Sequence, residues 1–228
     1  MIRILFQGDS ITDGGRLKPI ENRWDLNHQI GHSYVYPIAG TLGRRAPGKY
    51  LCINRGLSGD TMDKIHTRWQ TDTLDEHPDI LSILLGINGN AQMDGQYPEG
   101  VEEHLQAFDA GYRSLLDEAI AQNPRLKIIL IEPFALPVGI LKPHYEDFMA
   151  VFSRKQAAIR RIAEDYGAVF IPTQKRLEAL VAEAAPILEE NGCPTDPYVY
   201  WLWDGVHPTE SFHNYLADLW LEAAEPIL

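Results

Sequence analysis

Five short runs of Ile, Leu and Val constrain this chain more than any other feature: Ile2–Phe6, Tyr50–Asn54, Ile80–Leu85, Lys127–Ile131 and Ala168–Ile171. Each is a continuous apolar run of strand length rather than an alternating one, the pattern of a strand buried on both faces of a parallel sheet. Between them lie longer segments with helical periodicity. Gly100–Gln122 sets Val101, Leu105, Phe108, Tyr112, Leu115, Leu116 and Ala119 on one stripe, a face about 100° wide that seeks a core. Asp60–Glu76, Asp147–Tyr166, Gln174–Glu190 and Pro208–Leu221 follow the same logic. Strand and helix in alternation predict an α/β fold: a doubly wound, three-layer α/β/α sandwich around a five-stranded parallel sheet.

Two connections exceed the ~2–6 residues usual in such units, Ile87–Glu99 and Glu132–Glu146. Both follow strands, so both belong at the carboxyl edge of the sheet, where ligands bind in open α/β folds. A third irregular stretch, Asn191–Trp203, is rich in Pro, Tyr and Trp. Nothing resembling a linker or a repeat divides the chain, so residues 1–228 are expected to form one domain.

Composition narrows the function classes. With 20 Lys+Arg against 32 Asp+Glu, the net charge is −12. That balance argues against nucleic acid, whose phosphates call for clustered cations, and against polybasic membrane attachment. No apolar run approaches the ~20 residues that span a bilayer. Two cysteines, Cys52 and Cys193, make no disulfide framework and fit a reducing compartment. A cytoplasmic location is the expectation.

Chemistry collects at the ends of the strands. Gly8-Asp9-Ser10-Ile11-Thr12-Asp13 follows the first strand directly. A serine on such a turn is either a helix cap or a nucleophile awaiting a base. Far along the chain, Asp204-Gly205-Val206-His207-Pro208 spaces a carboxylate three residues before an imidazole. That pair is a helix cap, a metal pair, or an oriented general base whose tautomer the carboxylate fixes. Gly59 follows the second strand and Asn88 the third; each suits an ordinary turn, or an oxyanion donor at the same edge.

The four blocks, in this order and spanning nearly the whole chain, resemble those of the SGNH-hydrolase (GDSL esterase/lipase) family, matched here by Ser10, Gly59, Asn88 and His207. The resemblance implies a flavodoxin-like sandwich with Ser10 as nucleophile, His207 as base and Asp204 orienting it. It also implies an oxyanion hole formed by Ser10, Gly59 and Asn88. Further stretches resemble the acetylxylan-esterase-like carbohydrate esterases of that family: Phe6–Asp13, Gly31–Val35, Arg55–Gly59, Arg68–Gln70, Glu132–Phe134 and Trp203–Pro208. One departure stands out. The family's third block usually continues Asn-Asp, but here Gly89 follows Asn88, which predicts a less firmly braced amide.

The expected substrate is therefore a small acylated carbohydrate, deacylated through an acyl-enzyme, with no cofactor and no metal. Asp9, Trp203, Trp201, Tyr97 and Phe134 are the candidate substrate contacts, the aromatic ones as flat platforms for a sugar ring. Trp201 and Trp203 serve equally well as core packing. A lipase or thioesterase acting on longer chains shares the same triad, and a non-catalytic sugar- or lipid-binding domain shares the fold. Exposed aromatics leave room for a homo-oligomer.

Overall fold

The computed structural model describes residues 1–18, 29–89 and 100–228. Its sheet is built from β1 (Ile2–Gly8), β2 (Tyr50–Asn54), β3 (Ile80–Leu84), β4 (Lys127–Ile131) and β5 (Val169–Ile171), all parallel, in the order β2-β1-β3-β4-β5. Every residue of β3 is buried, as the continuous apolar run requires of a central strand. β1 runs two residues beyond its apolar run because Gln7 and Gly8 pair with Ile83 and Leu84.

One face of the sheet carries α2 (Val35–Arg45), α6 (Gln174–Glu190) and α8 (Glu210–Ala224), packed with Phe6, Ile129 and Ile171 in one core. Trp220 fills its centre, 5.3 Å from the Phe6 ring, and its indole N–H donates to Ser82 Oγ at 3.0 Å. The other face carries α3 (Met62–Trp69) and α4 (Val101–Gln122), packed with Leu5, Leu81 and Leu130 in a second core. α5 (Tyr145–Asp165) contributes to both cores, Phe148 and Phe152 to the first and Ile159 and Ile162 to the second.

Three segments depart from the periodicity. α2 was not among the predicted helices, because Pro37, Gly40 and Gly43 obscure its stripe of Val35, Ile38 and Leu42. Pro37 sits in the first turn, where its missing N–H costs nothing. Asp60–Glu76 divides into α3 and a π-helical turn over Gln70–Leu74. The irregular Asn191–Trp203 contains α7 (Pro197–Trp201), opened by Asp196, whose side chain accepts from Tyr198 N at 2.8 Å.

β1 is flanked by β2 and β3, whose connections leave in opposite directions. That is the switch point where doubly wound sheets leave a crevice at the carboxyl edge. Ser10, Gly59 and Asn88 all emerge there.

Candidate active site

Ser10 opens α1 (Ser10–Asp13), a single turn. Gly8 must precede it: a Cβ at that position would overlap both the Leu84 carbonyl oxygen and the Thr12 hydroxyl. Ser10 Oγ lies 2.7 Å from His207 Nε2, and His207 Nδ1 lies 2.7 Å from Asp204 Oδ2. The other carboxylate oxygen, Asp204 Oδ1, accepts the backbone N–H groups of Val206 at 3.0 Å and His207 at 2.8 Å. Residues almost two hundred positions apart thus form one chain of three side chains.

The electrostatics suit a base held by an acid. Hydrogen bonding to Asp204 raises the His207 pKa despite partial burial, with the Asp9 carboxylate adding to the pull. At Asp204, burial pushes upward, but the His207 imidazole and the two backbone N–H groups outweigh it, and the carboxyl titrates below its ordinary range. Trp203 stacks on the imidazole, ring centroids 5.4 Å apart and planes 17° from parallel, while remaining 58% exposed.

Gly59 sits at the exposed tip of a turn closed by Asp60 N donating to Leu57 O at 3.1 Å, with φ of +79° that favours glycine. Asn88 donates one amide hydrogen to Asp60 O at 3.0 Å. The amide that lacks a neighbouring acid is therefore braced by the preceding block's backbone. Gly89 itself has φ of +73°, which explains a glycine there. Asn88 and Gly89 also line a cavity of about 240 Å³, together with Thr61, His104, Phe108 and Lys155. Neither Ser10 nor His207 lines it.

Three of the predicted substrate contacts are wholly or partly buried. Phe134 is fully buried, edge-on to Phe212 at 4.9 Å, because the segment after β4 turns into the core before it reaches the rim. Asp9 is 1% exposed and caps α1, accepting Ile11 N at 3.1 Å. Burial pushes its carboxyl up to about 7. Trp201 is half-buried against Tyr200 and Phe212 and packs on the core, its indole N–H enclosed without a partner among the described residues. Tyr97 lies outside the described residues. Among the described members of the set, Trp203 alone faces solvent beside His207.

The structure adds residues that pattern alone did not single out. Asp13, buried, accepts from Ser58 N, Ser58 Oγ and Lys18 Nζ, each at 2.9 Å, tying α1 to the turn that carries Gly59. Arg68 fixes the same turn from α3, donating to Asp60 Oδ2 at 2.6 Å and to the Arg55 carbonyl at 2.8 Å. His213 accepts from Tyr34 N at 3.1 Å and is held neutral, its pKa pushed down to about 4 by burial. A histidine next to a helix start carries no sequence signal that separates such an anchor from a surface side chain.

A parallel sheet of this order, with a Ser-His-Asp chain at its switch point, defines a hydrolase of the flavodoxin-like type. The model of the GDSL-like Lipase/Acylhydrolase family matches residues 6–214, and the chain belongs to that family and is a carboxylic ester hydrolase. Its relatives are more particular. An acetylxylan esterase of Geobacillus stearothermophilus is 29% identical over 222 residues, covering 96% of this chain and 92% of its own. Among solved structures, a protein described as a GDSL-like lipase from Parabacteroides merdae ATCC 43184 superposes with a TM-score of 0.83 at 32% identity, covering 98% of this chain and 95% of its own. Axe2, an acetylxylan esterase from Geobacillus stearothermophilus, gives 0.70 at 28% identity, covering 97% and 93%.

Proposed function

We propose that this chain is a serine esterase that removes short acyl groups, chiefly acetyl, from carbohydrates through an acyl-enzyme. The observation that carries the proposal is the continuous Ser10–His207–Asp204 chain, two contacts of 2.7 Å each. The similarity to acetylxylan esterases over nearly the whole chain supports the substrate class. The triad reading is supported by the catalytic variants of Axe2, in which a serine, an aspartate and a histidine are each replaced by alanine. The aspartate and histidine of that protein are three positions apart, the spacing of Asp204 and His207.

The steps follow from the atoms. Ser10 Oγ attacks the ester carbonyl carbon while its proton passes to His207 Nε2, and Asp204 stabilises the imidazolium through Nδ1–H. The oxyanion is held by the N–H groups of Ser10 and Gly59 and by the Asn88 amide hydrogen not given to Asp60. Such donors are each worth about 10²–10³ in rate. The tetrahedral intermediate collapses, and the sugar oxygen leaves with the proton from His207. Water, deprotonated by His207, then attacks the acyl-serine; as this second intermediate collapses, the imidazolium returns the proton to Ser10 Oγ and the carboxylic acid leaves. The exposed Trp203 face, beside the imidazole, supplies a platform for the sugar ring.

An acyl-chain series of p-nitrophenyl esters, run alongside acetylated xylo-oligosaccharides, tests the proposal. The expected result is a kcat/KM maximum at acetyl and release of acetate from the oligosaccharides. A maximum at eight carbons or more, with the oligosaccharides untouched, would assign the chain to lipolytic or thioesterase chemistry instead.

A further inference from the structure

We infer that the segment Leu136–Ile140, after β4, is a strap that sets the position of Asp204, with Gly139 as a positioning residue for the triad; this rests on the triad proposed above. Two backbones meet face to face there. Leu136 N donates to Gly205 O at 2.9 Å, and Ile140 N donates to Asp204 O at 3.2 Å. Both contacts depend on glycines that oppose each other. A Cβ on Gly139 would overlap the Asp204 carbonyl and come within 2.6 Å of its Cα. A Cβ on Gly205 would overlap the Val138 carbonyl oxygen and lie 3.0 Å from that of Leu136. Both have positive φ, +58° at Gly139 and +100° at Gly205, so a side chain at either position meets strain as well as a clash.

Among the described residues, the other backbone contacts of the loop that carries Asp204 lie at its base. Trp203 N donates to His207 O at 3.1 Å, Thr209 N donates to Trp201 O at 2.9 Å, and Leu202 bridges Pro208. These contacts fix the ends of the loop, while the strap grips the Asp204-Gly205 peptide between them. The carboxylate then has two short N–H partners and the imidazole at 2.7 Å. Gly139 begins a 3₁₀ turn over Gly139–His144 that leads into α5, and Leu141 within it is fully buried. The strap is therefore anchored in the core, and it transmits that anchorage to Asp204.

Gly139→Ala tests this. The titratable groups that bear on His207 are Asp204 and Asp9, with His213 of α8 nearby; the atoms nearest the added methyl are all backbone atoms of Asp204. A displacement of about 1 Å can cost about 10²-fold in rate. The expected result is a fall in kcat of ten- to a hundredfold with KM for p-nitrophenyl acetate little changed. With the Asp204 contact loosened, the His207 pKa falls, so the acidic limb of the kcat/KM profile moves to lower pH. Direct titration of the His207 imidazole by NMR, in a Ser10→Ala background, should show the same downward shift in folded protein. Should Gly139→Ala fail to fold, Ile140→Pro removes the single N–H donor from a half-exposed residue and should give a smaller shift of the same sign. An unmoved His207 pKa in the folded variant, or a loss of activity that only follows the unfolded fraction, would overturn the strap. Wild-type protein without esterase activity would overturn the hydrolytic proposal, and the titration would still decide the strap.

Discussion

Asp9 and Ser10 are neighbours with opposite environments, and the difference has a measurable consequence. The Asp9 carboxyl is enclosed, and burial lifts it from 3.8 to about 7. Its native pKa lies above its unfolded one, so the native state binds this proton more tightly. The stabilisation is complete below about pH 4, declines as pH rises, and is gone above about pH 7. The swing is on the order of 4 kcal/mol. Asp9→Asn keeps a capping side chain without the charge. Its melting temperature should exceed the wild type's at pH 8 and match it near pH 4, as followed by circular dichroism. Equal melting temperatures at both pH values would mean that Asp9 does not carry a buried charge. On the exposed side of the imidazole, Trp203→Ala should raise KM for acetylated xylo-oligosaccharides roughly tenfold, in line with the worth of an aromatic contact. A KM unchanged by that substitution would remove the platform.

Asp13 shows how the elements hold one another in place. A buried carboxylate on the single turn of α1 binds the loop after β2, and Arg68 of α3 binds that loop from the opposite side. Burial raises the Asp13 pKa, but the Lys18 and Ser58 donors more than offset it and the net shift is downward. Its contribution is present above the unfolded pKa and is lost as pH falls through the lower native value. Asp13→Ala removes the acceptor of four donors, Arg16 N as well as the Ser58 and Lys18 groups, and removal of one partner from such a cluster costs about 3–5 kcal/mol when buried. Urea denaturation at pH 7 should show a loss of at least 2 kcal/mol, discounted for the exposed Lys18 partner; a change under 0.5 kcal/mol, the scale of an ordinary surface substitution, would dissolve the clamp. These ties explain what the sequence could and could not convey. Strands β2 and β4 and helix α6 coincide with their apolar runs because periodicity reports burial directly. The fate of Phe134 and Trp201 was not legible, since an aromatic on a loop has the same pattern whether the loop turns inward or outward. The strap was equally hidden: Gly139 and Gly205 are sixty-six positions apart, and only their contact gives them meaning.

At the scale of the whole molecule, the order β2-β1-β3-β4-β5 draws four distant blocks to one crevice. That much followed from the chain's alternation and from motifs placed at strand ends. We propose that the chain unfolds as one unit, because the Ser10–His207 contact joins distant segments at one rim and α5 packs into both cores. Loss of activity and loss of ellipticity on heating should then coincide in a single transition, and two separated transitions would divide the domain. The −12 charge, which argued against nucleic acid, plays no part in the site, where the acids that matter are the paired Asp204 and the buried Asp9 and Asp13. The most direct measurement is the rate of p-nitrophenyl acetate hydrolysis by a Ser10→Ala variant with native ellipticity and melting temperature. A nucleophile acting as a unit with its base is worth on the order of 10⁴–10⁶ in kcat, so turnover should fall at least 10⁴-fold. A folded variant that retains a tenth or more of the wild-type rate would contradict a mechanism centred on Ser10.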